Sequence, residues 1–106
     1  MKFRPNDGYI IDSLGWVYYK KKKFDEALVE LEKAWKLAPN DPAIGEHLGE
    51  VYLKKGLWDK ALKIYRRVLE VHPTAKEKEN ILKRMKEAQQ KWDEEKGSLE
   101  NTLYPN

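Results

Sequence analysis

The stretch Leu14-Gly15-Trp16-Val17-Tyr18 returns 34 residues later as Leu48-Gly49-Glu50-Val51-Tyr52. Around it, Asp25-x-Ala27-Leu28 recurs as Asp59-x-Ala61-Leu62, and Pro39 recurs as Pro73, at the same offset. Set without gaps against Pro42–Ala75, Gly8–Asp41 has 11 identities in 34 positions, where unrelated segments would share roughly two. A fixed period of this size marks a repeat that stacks on its neighbours, because one unit alone cannot bury its apolar face.

Working outward, Asp7 and Asp41 are placed to cap the helices that follow them, and Pro42 suits a first helical position. Ile10, Ile11, Leu14, Val17 and Tyr18 fall at helical spacing and predict a first helix from Tyr9 to about Lys21. Lys20–Lys23 end it, where cations meet free carbonyls. A second helix is expected over Phe24–Leu37, with Ala27, Leu28, Leu31, Ala34 and Trp35 inward. The plan repeats over Ala43–Lys55 and Trp58–Val71. Gly56 suits a left-handed turn residue between these two helices. Its counterpart Lys22 does not, so the first turn is expected to be more strained or built differently, and Lys22→Gly to help if φ there is positive.

Beyond Pro73 the repeat fails. Thr74-x-x-Glu77 is a capping box, opening a helix with a narrow apolar stripe of Ile81, Leu82, Met85, Ala88 and Trp92. One dry side suits the end of a stack. Gly97-Ser98 is expected to end this helix, with Leu99, Leu103 and Tyr104 in a tail that is either disordered or docked back. At the other end, Lys2-Phe3-Arg4-Pro5-Asn6-Asp7 parallels Lys36-Leu37-Ala38-Pro39-Asn40-Asp41 at the 34-residue offset. The expected division is therefore 1–7, remnant of a preceding repeat or a leader; 8–41 and 42–75, two repeats; 76–95, a capping helix; and 96–106, a tail.

These residues resemble the tetratricopeptide repeat, a 34-residue helix-turn-helix unit. With Gly8 and Pro42 as first positions, its Leu-Gly pair is Leu14-Gly15 and Leu48-Gly49, and its tyrosine is Tyr18 and Tyr52. Its aromatic is Phe24 and Trp58, its first alanine is Ala27 and Ala61, and its proline is Pro39 and Pro73. The resemblance covers 8–75 fully and 76–95 as a cap. It implies an all-α fold: a right-handed α-solenoid of two hairpins plus a C-terminal capping helix. Two departures stand out. The usual tryptophan at the fourth position is Ile11 and Gly45, and the usual alanine at the twenty-seventh is Ala34 but Val68. Gly45 leaves space beside the preceding helix, which the large Trp35 is expected to fill.

The resemblance also implies a role in protein–protein interaction, with first helices lining a concave groove for a peptide or partner helix. Its groove positions fall on Tyr9, Asp12, Trp16, Tyr19 and Lys20 in the first helix. In the third they fall on Ala43, Glu46, Glu50, Leu53 and Lys54. Continued into the cap, the phase reaches Glu77, Asn80, Arg84 and Glu87. Trp16 and Tyr19 lie off the stripe formed by Leu14, Gly15, Val17 and Tyr18, so they are read as exposed binding anchors. The alternative is self-association through the first helix, whose Ile10, Ile11, Leu14 and Val17 a lost neighbour would have covered. Monomer or weak homodimer are both open. The carboxylate clamp of chaperone-tail adaptors needs asparagines where this chain has Ser13 and His47, so that subtype is not expected.

Composition excludes several other classes. The 21 basic and 18 acidic residues give a net charge of +3 with interspersed signs, unlike the one-sign stripe of a nucleic-acid binder. No cysteine is present, which removes disulfides and thiolate chemistry. No apolar run approaches the ~18 residues of a membrane span, and no apolar signal region is visible, so the setting is cytoplasmic by default. His47 and His72 stand 25 residues apart, no phosphate loop is present, and Glu46, His47 and Glu50 make at most a weak metal set. No enzyme activity and no cofactor are expected.

Overall fold

The computed structural model describes residues 7–71 and 73–103, so of the expected N-terminal remnant only Asp7 is included. The described residues form five helices: α1 (Gly8–Lys20), α2 (Phe24–Leu37), α3 (Pro42–Lys54), α4 (Trp58–Glu70) and α5 (Ala75–Leu103). Each helix packs on the next, and α1 also meets α3, as α3 meets α5. The result is two layers, α1, α3 and α5 in one and α2 and α4 in the other.

The ends of the helices follow from single residues. The Asp7 carboxylate accepts from the amides of Tyr9 and Ile10 at 2.9 and 3.4 Å, and the Asp41 carboxylate accepts from that of Ile44 at 3.0 Å. The capping box at α5 is reciprocal. Glu77 accepts from the Thr74 amide at 2.8 Å, and the Thr74 hydroxyl accepts from the Glu77 amide at 3.2 Å. Both interhelical turns have the same build. Gly56 has φ of 70° and Lys22 has φ of 62°, so the first turn carries a lysine in the left-handed region that favours glycine.

The core runs between the layers through Ala27, Leu31, Leu48, Val51, Ala61, Tyr65, Val68 and Ile81, all buried. Gly45 and Gly49 allow the close approach there. A Cβ on Gly45 would collide with Val68 and lie 2.9 Å from the Trp35 ring, so Trp35 and Val68 together fill the space beside Gly45. A Cβ on Gly49 would collide with the Tyr65 ring.

Two expectations are corrected. The stripe of α1 is not a core stripe throughout: Leu14 and Val17 are 43% and 49% exposed, whereas their repeats Leu48 and Val51 are 1% and 0% exposed. The difference is positional, since α3 lies between α2 and α4, while α1 has α2 on one side only. The second correction concerns the C-terminal segment. The helix expected to stop at Gly97-Ser98 continues through both to Leu103, a single helix of 29 residues. One glycine costs an exposed helix only about 1 kcal/mol, Gly97 has no left-handed φ, and Thr102 donates back to the Ser98 carbonyl at 3.0 Å. Leu99 and Leu103 do not dock back onto the stack; both are exposed. Tyr104 lies outside the described residues.

Lys22→Gly is expected to stabilise the protein by about 0.5–1 kcal/mol through release of left-handed strain, seen as a thermal midpoint raised by a few degrees; an unchanged or lower midpoint contradicts this. Gly45→Ala is expected to cost roughly 1–3 kcal/mol by overpacking. Combined with Trp35→Leu, that cost should shrink by at least about 0.5 kcal/mol in a denaturation double-mutant cycle, and additive costs would show that the two positions are uncoupled.

Candidate functional site

The layer of α1, α3 and α5 encloses a cleft of about 500 Å³. Helix α1 contributes Trp16, Tyr19 and Lys20; α3 contributes Glu46, His47 and Glu50; α5 contributes Asn80, Lys83 and Arg84. A second cleft of about 360 Å³ continues from it, lined by Leu53, Lys54, Trp58, Glu87, Gln90 and Lys91, and shares Glu50 and Arg84 with the first. The boundary between them is an ion pair.

Glu50 is the junction of the three helices. One of its oxygens accepts from the Tyr19 hydroxyl at 3.3 Å, and the other pairs with Arg84 Nε at 3.1 Å. Arg84 Nη1 in turn donates to Glu87 at 3.2 Å. Burial, then the Glu50 charge, raises the Tyr19 phenol above its ordinary value, so the phenol stays a donor. Burial opposes the Arg84 charge, and Glu50 and Glu87 more than offset it. Beneath this network the Tyr65 hydroxyl is fully buried and has no hydrogen-bond partner among the described residues. Burial, then Glu50, pushes its pKa far up, which keeps it neutral.

The aromatic wall is built from two helices. The Trp16 ring stacks on Tyr19 at 4.3 Å between centroids and 8° between planes, and on His47 of α3 at 4.1 Å and 20°. Lys20 Nζ sits 5.3 Å from the Trp16 ring centroid, within cation–π reach. His47 is fixed from behind by a 2.8 Å bond between its Nδ1 and the Asp12 carboxylate. Trp16 and Tyr19 are therefore not free-standing exposed aromatics, as the sequence suggests. Both are half-buried, and Tyr19 packs against the core.

Of the residues the groove pattern singles out, Trp16, Tyr19, Lys20, Glu46, Glu50, Asn80 and Arg84 converge on the first cleft, and Leu53 and Lys54 on the second. Asp12 and Tyr9 are not among the residues lining either cleft. Asp12 is buried behind His47, and Tyr9 is an exposed side chain whose phenol is raised by a hydrogen bond with Asp41. His47 and Lys83 line the first cleft without having been singled out. The signal for Lys83 was present, since it occupies the place of Gly15 and Gly49. A lysine cannot fill that core position, so α5 turns to bury Ile81 and Ala88 and leaves Leu82 exposed. His47 turns towards Asp12, and among the described residues no group of three or more His, Asp or Glu side chains is placed to hold a metal ion.

The family model of the tetratricopeptide repeat matches residues 18–77. The chain belongs to the tetratricopeptide repeat family. A comparison with curated proteins found no match. Tetratricopeptide repeats generally mediate protein–protein interaction and are typically non-enzymatic modules. No described helix of this repeat protein is long and apolar enough to cross a membrane.

Glu46 is the one cleft carboxylate that forms no ion pair among the described residues. Burial, then the Glu77 and Glu50 charges, raises its pKa above the ordinary carboxylate value. A raised folded-state pKa means that charging Glu46 costs stability as pH rises through that value, and that the cost vanishes below the unfolded-state pKa. Glu46→Gln is therefore expected to raise the thermal midpoint at about pH 7 and leave it unchanged near pH 3. A midpoint lowered at pH 7 would contradict this.

Proposed function

We propose that this tetratricopeptide repeat chain is a binding module that holds a peptide or partner helix along the two joined clefts. The observation that carries the proposal is the Trp16–Tyr19–His47 stack, which forms a rigid aromatic wall in a concave site between three helices. Rigid aromatic surface in a partly desolvated concavity is where binding energy concentrates. The charges add direction. Arg84 is held by both Glu50 and Glu87, whereas Lys20 and Lys83 form no ion pair among the described residues. A ligand with a large apolar side chain against Trp16 and a carboxylate near Lys20 and Lys83 suits this arrangement. Lys54 and Leu53 extend the proposed track past the Glu50–Arg84 pair, with Asn80 on its α5 side.

The test is selection of peptides from a random-sequence display library on the immobilised protein. Enriched peptides are expected to lose about tenfold or more in affinity on Trp16→Ala, equivalent to roughly 1.4 kcal/mol, and less on Leu82→Ala, on the outer face. Tyr19→Phe, which keeps the packing but removes the hydroxyl held by Glu50, separates the wall from its hydrogen bond. Peptides that bind equally well to Trp16→Ala would overturn the proposal.

A further inference from the structure

Two apolar faces lie away from the clefts, one on α1 and one on α5. At one end, Ile10, Leu14 and Val17 of α1 occupy the positions that Ile44, Leu48 and Val51 occupy in α3. The latter three are buried, with α3 lying between α2 and α4, whereas Leu14 and Val17 are nearly half exposed and Ile10 is partly buried. No described helix covers this side of α1. Past the end of the helix the chain is basic, with Lys21, Lys22 and Lys23 in succession.

At the other end, α5 outruns its support. It has 29 residues against 13 in α4, and Trp58, the first residue of α4, donates its indole N–H to Glu95 at 2.7 Å. The residues after Glu95 therefore extend past α4 by about two helical turns. The stripe that is buried at Ile81 and Ala88 passes through half-buried Trp92 and continues onto this extension as Leu99 and Leu103, 59% and 61% exposed. From Asp93 to Leu103 the chain carries four carboxylates, Asp93, Glu94, Glu95 and Glu100, against the single cation Lys96.

We propose that the extension of α5 docks on the open face of α1 in a second copy of this chain, joining copies end to end. Three observations select this occupant. The apolar stripe of the extension continues the α4–α5 interface, so it is already shaped to lie along a helix. The face of α1 repeats, position for position, a face that α3 buries inside the stack. Asp93, Glu94 and Glu95, at the base of the extension, are opposite in sign to Lys21, Lys22 and Lys23 beside the face of α1. The two surfaces differ and lie on opposite ends, so the contact is heterologous and does not close on itself. The proposal does not rest on the groove, because Leu14 and Val17 do not line it.

Light scattering across protein concentrations tests it. Wild-type mass is expected to rise progressively with concentration, and the rise to weaken several-fold between about 0.05 and 0.5 M salt. Leu14→Glu/Val17→Glu and Leu99→Glu/Leu103→Glu alter only exposed or half-exposed surface, so each variant should fold by circular dichroism and remain monomeric alone. Mixed, they should form a one-to-one pair that grows no further, since one intact end remains on each. Three outcomes would overturn the proposal: a monomeric wild type at about 1 mM, association that either variant retains at wild-type strength, or two monomeric variants that do not pair when mixed. Trp16→Ala should leave the association unchanged, which separates its failure from failure of the groove.

Discussion

Everything in this protein depends on how closely the two helices of each hairpin can approach. Gly15 lies against Leu31 and Gly49 against Tyr65, and in neither place is there room for a Cβ without a shift of the partner. The glycine on one helix accepts the large side chain from the other, and that interlock sets the layer separation. Dispersion and apolar burial then favour the stacked arrangement over the isolated hairpin. The second hairpin carries the heavier version, with Tyr65 in place of Leu31, and leaves a buried hydroxyl under the cleft without a partner among the described residues. A buried unpaired hydroxyl is a cost, sustained here because the tyrosine ring fills the space beneath Gly49.

The same layering makes the cleft. With α1, α3 and α5 side by side, residues at equivalent places on three helices converge, and Glu50 ties them together through Tyr19 and Arg84. The ion pair draws α5 toward α3 on the concave side, while Ile81 and Ala88 hold α5 onto α4 from below. Aromatic stacking of Trp16 on His47 performs the corresponding job between α1 and α3. These polar and aromatic contacts are only partly desolvated, so their contribution lies more in the positions they impose on one another than in net stability.

The two copies are not equivalent, and their differences compensate locally. Gly45 lacks a side chain where Trp35 and Val68 come close, so the two departures from the family pattern in the second repeat amount to one repacked contact. Lys22 keeps the turn geometry of Gly56 at the expense of a strained backbone. The ends are less balanced: α1 leaves apolar area open and α5 carries its stripe beyond α4, features that belong to the edges of a stack rather than to its repeating unit.

The sequence by itself determined the repeat, its phase, the caps and the helix boundaries to within a residue for the first four helices. Those depend on neighbours in the chain: the 34-residue period, Asp7, Asp41, Pro42 and the Thr74–Glu77 box. It also pointed to most of the cleft, because equivalent positions on stacked helices share a face. The length of α5 was not legible, since Gly97-Ser98 has the composition of a stop but no packing or left-handed turn to enforce one. Nor was the partial burial of Trp16 or the role of Asp12 behind His47, and the exposure of Leu14 and Val17 was legible only as an alternative. Periodicity reports which face of a helix is apolar. Only the tertiary structure decides whether a second helix is there to cover that face, and which side chains of different helices meet across it.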